Sequence, residues 1–204
     1  MGFFKTLFGS TKKEIWQQIA DDIGARFESG GFWRPDHLSY QYREWEIVLD
    51  TFTRSTGNSS TTYTRMRAPF ANQDDFYFTI YRKGFFSDIA KVFGMQDIKV
   101  GDQWFDETFV IKSNKPSQIR QLLLDEDIKD LLHDQPRVHL KIKTNKGIFK
   151  QKYPKNVDEL YFECVGIIKD SNRIKDLFDL FAFVLQRLVE IDSAHPDSPN
   201  VSVN

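Results

Sequence analysis

Apolar positions along this chain follow two periods, and the switches between them mark the elements. Ile15, Trp16, Ile19, Ala20, Ile23 and Phe27 recur at helical spacing behind Thr11-Lys12-Lys13-Glu14. That tetrapeptide has capping-box form, with a hydroxyl at the cap and a carboxylate three residues on, so a helix is predicted over 12–26. Gly30-Gly31 and Pro35 break it, and the period drops to two. Tyr40 and Tyr42, then Ile47 and Leu49, alternate on either side of Arg43-Glu44, the pattern of a hairpin. A third strand is read over 61–68, after a polar turn at 54–60. Phe76, Phe78 and Ile80 alternate with Tyr77, Thr79 and Tyr81, which puts rings on both faces of a fourth strand. Two-sided burial, or one face lining a cavity, would each produce that. Phe85, Phe86, Ile89, Val92 and Phe93 then sit at helix-like spacing, a short amphipathic helix over 84–95.

The second half of the chain twice turns a strand-like run into an amphipathic helix. A strand over 107–112 leads through Pro116, suited to a first helical turn, into Ile119, Leu122 and Leu123. A strand over 160–168 leads into a helix over 171–191 whose wide apolar stripe begins Ile174, Leu177, Phe178 and Phe181. Between them, Val138, Leu140 and Ile142 alternate with His139, Lys141 and Lys143. Asn145-Lys146-Gly147 signals a hairpin turn into a strand over 148–152. Grouped strands with occasional helices predict an α+β fold: a largely antiparallel sheet packed by an N-terminal helix and a long C-terminal helix. The expectation is a single domain over 1–196, with related halves at 11–134 and 135–192, and a flexible tail over 197–204.

Composition narrows the function classes. With 204 residues the chain can bury a substantial core, and a net charge of −1 gives no overall field for nucleic acid. Nineteen Phe and seven Tyr against three Met favour a ring-packed core, with an apolar-ligand pocket as the sharper alternative. The single cysteine, Cys164, lies in phase with Leu160 and Phe162, where an inert core thiol sits. One cysteine and no secretory signal point to a cytoplasmic protein.

No catalytic, cofactor or metal set emerges. Asp127, Asp130, His133 and Asp134 share a helix face, but opposite Ile128, Leu131 and Leu132 they read as a solvated surface. No nucleophile elbow or phosphate-cradling glycine loop is present. Charge is more suggestive: Arg137 to Lys155 holds seven Lys or Arg and no acid. Lys141, Lys143, Lys146, Lys150 and Lys152 either protect an exposed strand edge from aggregation or meet an anionic surface. Nucleic acid is the weaker partner, because no aromatic platform interleaves the lysines. Phe3, Phe4, Leu7 and Phe8 beside Lys5, Lys12 and Lys13 could form a shallow anchor at the inner face of a membrane, or dock on the domain or a partner.

Trp45 to Phe52, Thr62-Tyr63-Thr64-Arg65 and Phe105 to Asn114 together resemble a group of uncharacterised bacterial proteins, classed as a domain of unknown function. The resemblance covers residues 35–130, implies a bacterial origin and carries no site residues. Three readings follow. The first is a non-enzymatic binding or scaffold module that meets a protein partner or itself. The second is a carrier or sensor of a hydrophobic small molecule or lipid in a sheet–helix cleft, lined by Phe76, Phe78, Tyr81 and Phe181. The third is an enzyme whose site is assembled from distant loops.

Overall fold

The computed structural model describes residues 11–31, 35–84, 97–145 and 153–203. Helix α1 (Lys12–Ile23) starts at the expected capping box, where the Thr11 hydroxyl accepts from the Glu14 N–H and the Glu14 side chain answers the Thr11 N–H. It stops three residues early because Gly24 takes the left-handed conformation, with φ 71°. The chain then makes a short strand that alternation over so few residues does not reveal, β1 (Arg26–Glu28).

β2 (His37–Tyr42) and β3 (Trp45–Thr56) form the expected hairpin around Arg43-Glu44. β4 (Ser59–Ala71) pairs with β3 across a two-residue Gly57-Asn58 turn, so the strands run closer to the turn than 61–68 implied. Gly57 has φ 58°, a conformation glycine adopts freely and which suits a tight hairpin. β5 spans Phe78–Arg82. Part of the strand expected over 107–112 is instead helix: α2 (Gln103–Thr108) is capped by Asp102, and β6 (Phe109–Ser113) begins only after it. α3 (Pro116–Leu122) and α4 (Glu126–His133) follow, then β7 (His139–Lys143), β8 (Val157–Val165) and α5 (Ser171–Glu190). β8 ends at Val165, because the φ of 92° at Gly166 breaks the strand before the expected Ile168. The helix expected over 84–95 and the strand over 148–152 lie outside the described residues.

The eight strands make one antiparallel sheet in the order β1-β2-β3-β4-β8-β7-β5-β6. This is an α+β fold. Both strand-to-helix units are present, β6 into α3 and β8 into α5. They do not sit side by side as halves, because β7 and β8 are inserted between β4 and β5.

One face of the sheet carries the core. Leu49, Met66, Phe162, Leu140, Ile80 and Ile111 point to it from successive strands and meet Trp16 of α1, Ile119 of α3, Leu132 of α4 and the stripe of α5. α5 spans about 30 Å at 1.5 Å per residue. Its Ile174, Leu177, Phe178, Phe181, Leu185 and Leu188 are buried. Each contributes roughly 1.5–3 kcal/mol of burial free energy. The Trp16 indole N–H donates to the Ile168 carbonyl at 3.1 Å, pinning α1 beyond the end of β8. After His195 the chain is neither helix nor strand, yet the Val203 N–H donates to Glu46 of β3 at 3.3 Å.

Candidate functional site: the helix-free face of the sheet

Side chains alternate across a strand, so every strand that sends an apolar residue into the core sends its neighbours to the opposite face. Among the described residues no helix buries its stripe there, and in that sense alone the face is helix-free. Strand register sorts these residues into rows that cross the sheet. One row runs Asp50, Arg65, Glu163, His139, Tyr81 and Val110. The next runs Val48, Arg67, Tyr161, Lys141, Thr79 and Lys112. Beyond it lie Pro69, Glu159 and Lys143.

The first row is a closed charge network. Asp50, 3% exposed, accepts from Arg65 at 2.5 and 2.9 Å and from Arg67 at 2.7 Å. Charged donors of this kind make strong hydrogen bonds, and a buried carboxylate demands them. Glu163 is held likewise: one oxygen lies 3.3 Å from His139 Nδ1, and the other takes the Tyr161 hydroxyl at 2.9 Å and Arg54 at 3.4 Å. Burial alone would raise the Glu163 pKa. The His139 hydrogen bond, the Lys141 charge and the Tyr161 hydroxyl outweigh it and hold the carboxyl at about 2. Burial keeps His139 below its ordinary value, so at neutral pH the imidazole is uncharged. Its Nδ1 then carries the proton toward Glu163. Glu163 also pushes the Tyr161 phenol up, after burial. Glu159 is bound by the Tyr153 hydroxyl at 2.8 Å.

The second row and the one beyond it carry lysines that are differently placed. Lys141 Nζ lies 5.1 Å and Lys143 Nζ 5.2 Å from the centroid of the Tyr161 ring. Both are within the range at which a cation is attracted to a ring face. Neither makes an ion pair among the described residues, because the carboxylates of this face are bound elsewhere. Lys141 is partly buried, and burial, with Lys143 and Arg54 nearby, lowers its pKa against the pull of Glu163. An ammonium in that setting is short of counter-charge, which an anionic group placed over Tyr161 would supply.

These positions correct the edge-protection reading at Lys141. β7 lies inside the sheet, between β8 and β5, and Lys141 is paired on both sides, whereas Lys143 pairs with Glu159 of β8 alone. The aromatic platform missing from the local sequence is supplied by Tyr161, on the neighbouring strand. Lys146, Lys150 and Lys152 lie outside the described residues, as do Phe3, Phe4, Leu7 and Phe8.

The four residues named for an apolar pocket do not come together. Phe76, Phe78 and Phe181 are sealed in the core at 1% exposure or less, with Phe76 and Phe78 rings 5.6 Å apart. Tyr81 is on the other face, edge-on to His139 at 6.4 Å. Cys164 is 1% exposed on the core face, its thiol pKa raised by burial. Its sulfur lies 3.6 Å from Arg173. His133, half exposed, packs against Trp104 at 4.4 Å.

No family model matches the chain, and no curated protein matches it in sequence. One solved structure, that of the mycobacterial trehalose monomycolate transport factor A, TtfA, is similar in fold. The TM-score is 0.51 at 10% identity, over 87% of this chain and 94% of that chain. At that identity the likeness is one of architecture. Among the described residues no helix is long and apolar enough to cross a membrane.

Proposed function

We propose that this chain is a non-enzymatic binding module that holds an anionic amphiphile, its headgroup against Lys141 and Lys143 on the helix-free face. The observation that carries this reading is the pair of ammonium groups over one Tyr161 ring, beside carboxylates already committed to other donors. Around Tyr161, Arg54, Arg65, Arg67, Lys141 and Lys143 stand against Asp50, Glu159 and Glu163, while Lys112, farther along the row, is paired with Asp97 at 3.7 Å. A carboxylate held at about 2 is a weak base, which argues against Glu163 as a proton acceptor in catalysis. The architecture shared with a protein titled as a trehalose monomycolate transport factor adds a lipid-handling precedent for the fold. A ligand here would meet the exposed Lys143 and the half-buried Lys141 at the rim of the buried Tyr161 ring, whereas one between the sheet and α5 would have to enter the core.

Vesicle flotation tests the reading. Intact protein should float with vesicles of phosphatidylglycerol and phosphatidylcholine, and not with phosphatidylcholine alone. Lys141→Ala/Lys143→Ala should lose roughly thirtyfold in apparent affinity, about 1 kcal/mol for each of the two basic residues near an anionic surface. A chain lacking Met1 to Gly9 reports separately on the N-terminal anchor. Flotation of the lysine double variant equal to that of the intact protein would defeat the proposal.

A further inference from the structure

The end of the sheet where β8 leaves β4 differs from the rest: Val165 is the last residue of β8 on the same face as Lys141, and Ile167 follows just past the strand. Val165 is 45% and Ile167 43% exposed, two of the five large exposed hydrophobic side chains among the described residues. They flank Gly166, whose backbone is tied down: its N–H donates to the Thr62 carbonyl at 2.8 Å, and its carbonyl accepts from the Thr64 hydroxyl at 2.8 Å. The exposure is therefore a property of a fixed backbone rather than of a frayed end. Beside Val165 on the same face stand Tyr63 and Phe52, stacked at 5.1 Å. The Arg54 guanidinium lies 4.8 Å from the Tyr63 ring and 5.6 Å from Phe52, and Arg65 lies 5.0 Å from Phe52.

Arg54 is the outward cation of this row, its side chain half exposed although it reaches Glu163 at 3.4 Å, while Arg65 and Arg67 are bound to Asp50. From Thr51 to Gln73 the chain contains Arg54, Arg65 and Arg67 and no acidic residue, so the whole β3–β4 tip is free of carboxylates. Lys169 adds a cation two residues past Ile167. The acids at the corner are Glu163, bound to His139, Tyr161 and Arg54, and Asp170, whose side chain caps α5 through the Arg173 N–H at 2.9 Å. Aliphatic side chains, a ring pair at the rim and arginines that snorkel along those rings match the water–lipid boundary of an anionic leaflet.

We infer that the corner formed by Phe52, Tyr63, Val165 and Ile167, with Arg54 and Lys169, docks on an anionic lipid bilayer. This deepens the binding reading above, since it brings the Lys141–Lys143 site up to the membrane from which an amphiphile is drawn, but it uses different residues. Val165 and Ile167 enter the boundary layer, while the guanidinium and ammonium groups meet lipid phosphates.

The test places an environment-sensitive dye on Ile167→Cys, the native Cys164 being too buried to label in the folded chain. Phosphatidylglycerol-containing vesicles should shift the emission to the blue, and pure phosphatidylcholine should not. In unlabelled protein, Val165→Asn/Ile167→Asn should weaken co-sedimentation roughly tenfold, for two half-exposed aliphatic side chains no longer buried. Both positions tolerate polar replacement, so circular dichroism should be unchanged. Absence of a blue shift, or an equal shift with neutral vesicles, would overturn the docking surface, as would unchanged co-sedimentation of the Asn variant. The two proposals separate cleanly. If Lys141→Ala/Lys143→Ala abolishes binding of a dissolved short-chain phosphatidylglycerol yet the Ile167 dye still shifts, both stand. A shift with no dissolved-lipid binding in any variant leaves docking and removes the headgroup site.

Discussion

Glu163→Gln removes one charge from the network at the centre of the helix-free face. In the folded chain the carboxyl titrates at about 2 rather than 4.5, because His139, Lys141 and Tyr161 favour its charged form more than burial disfavours it. The interval corresponds to roughly 3 kcal/mol of stability that depends on the charge. Glutamine keeps the shape and one acceptor but loses this contribution. The sign follows from the direction of the shift. A carboxyl depressed in the folded state stabilises above pH 4.5, and that stabilisation is lost as pH falls toward 2. His139 acts in the same direction, since its imidazole is kept neutral below the ordinary value of 6.5 while the unfolded chain takes up a proton. Denaturant unfolding of both proteins at pH 7 should therefore show a gap of roughly 3 kcal/mol, shrinking to under half by pH 3. A gap that stays constant across that range, or a variant more stable than the parent at pH 7, would refute the network as described.

Other expectations follow from the core. Phe181→Ala should cost roughly 3–5 kcal/mol in unfolding free energy, for a fully buried ring between α5 and the sheet. It should leave affinity for anionic vesicles unchanged in the folded fraction. Cys164 should resist a thiol reagent in native buffer and react on the timescale of unfolding, since burial both shields the sulfur and raises its pKa. Gly166→Ala should destabilise by about 1–3 kcal/mol on denaturant unfolding, because φ 92° is strained for any side chain.

Local signals in the sequence were enough for the strongly periodic elements. The wide stripe from Ile174 onward and the capping box at Thr11 each report their own helix, because a helix satisfies its backbone within one segment. Hairpins at Arg43-Glu44 and Gly57-Asn58 are legible for the same reason. Strand order is not local. Nothing in residues 138–143 says that β7 will be enclosed by β8 and β5, so Lys141, which alternation alone could equally put on an exposed edge, lies inside the sheet. Tyr161 escaped notice as the platform for Lys141 and Lys143 because it comes twenty residues later, on a strand whose register is fixed only in the assembled sheet. Glu163, Asp50 and His139 were likewise scattered in sequence, and alternation gives the face a residue joins but not its neighbours across strands. Short elements failed for another reason: β1 and α2 are too brief for periodicity to outweigh chance, and α2 is set by the Asp102 cap and the Phe105 anchor.

Where an anionic amphiphile sits on the molecule is measured most directly by side-chain NMR with tyrosine and phenylalanine rings labelled. On titration with short-chain phosphatidylglycerol, the Tyr161 ring should shift in proportion to occupancy, while Phe76, Phe78 and Phe181 stay in place. Shifts confined to those phenylalanines, with Tyr161 unmoved, would put the ligand between the sheet and α5 and contradict binding on the helix-free face.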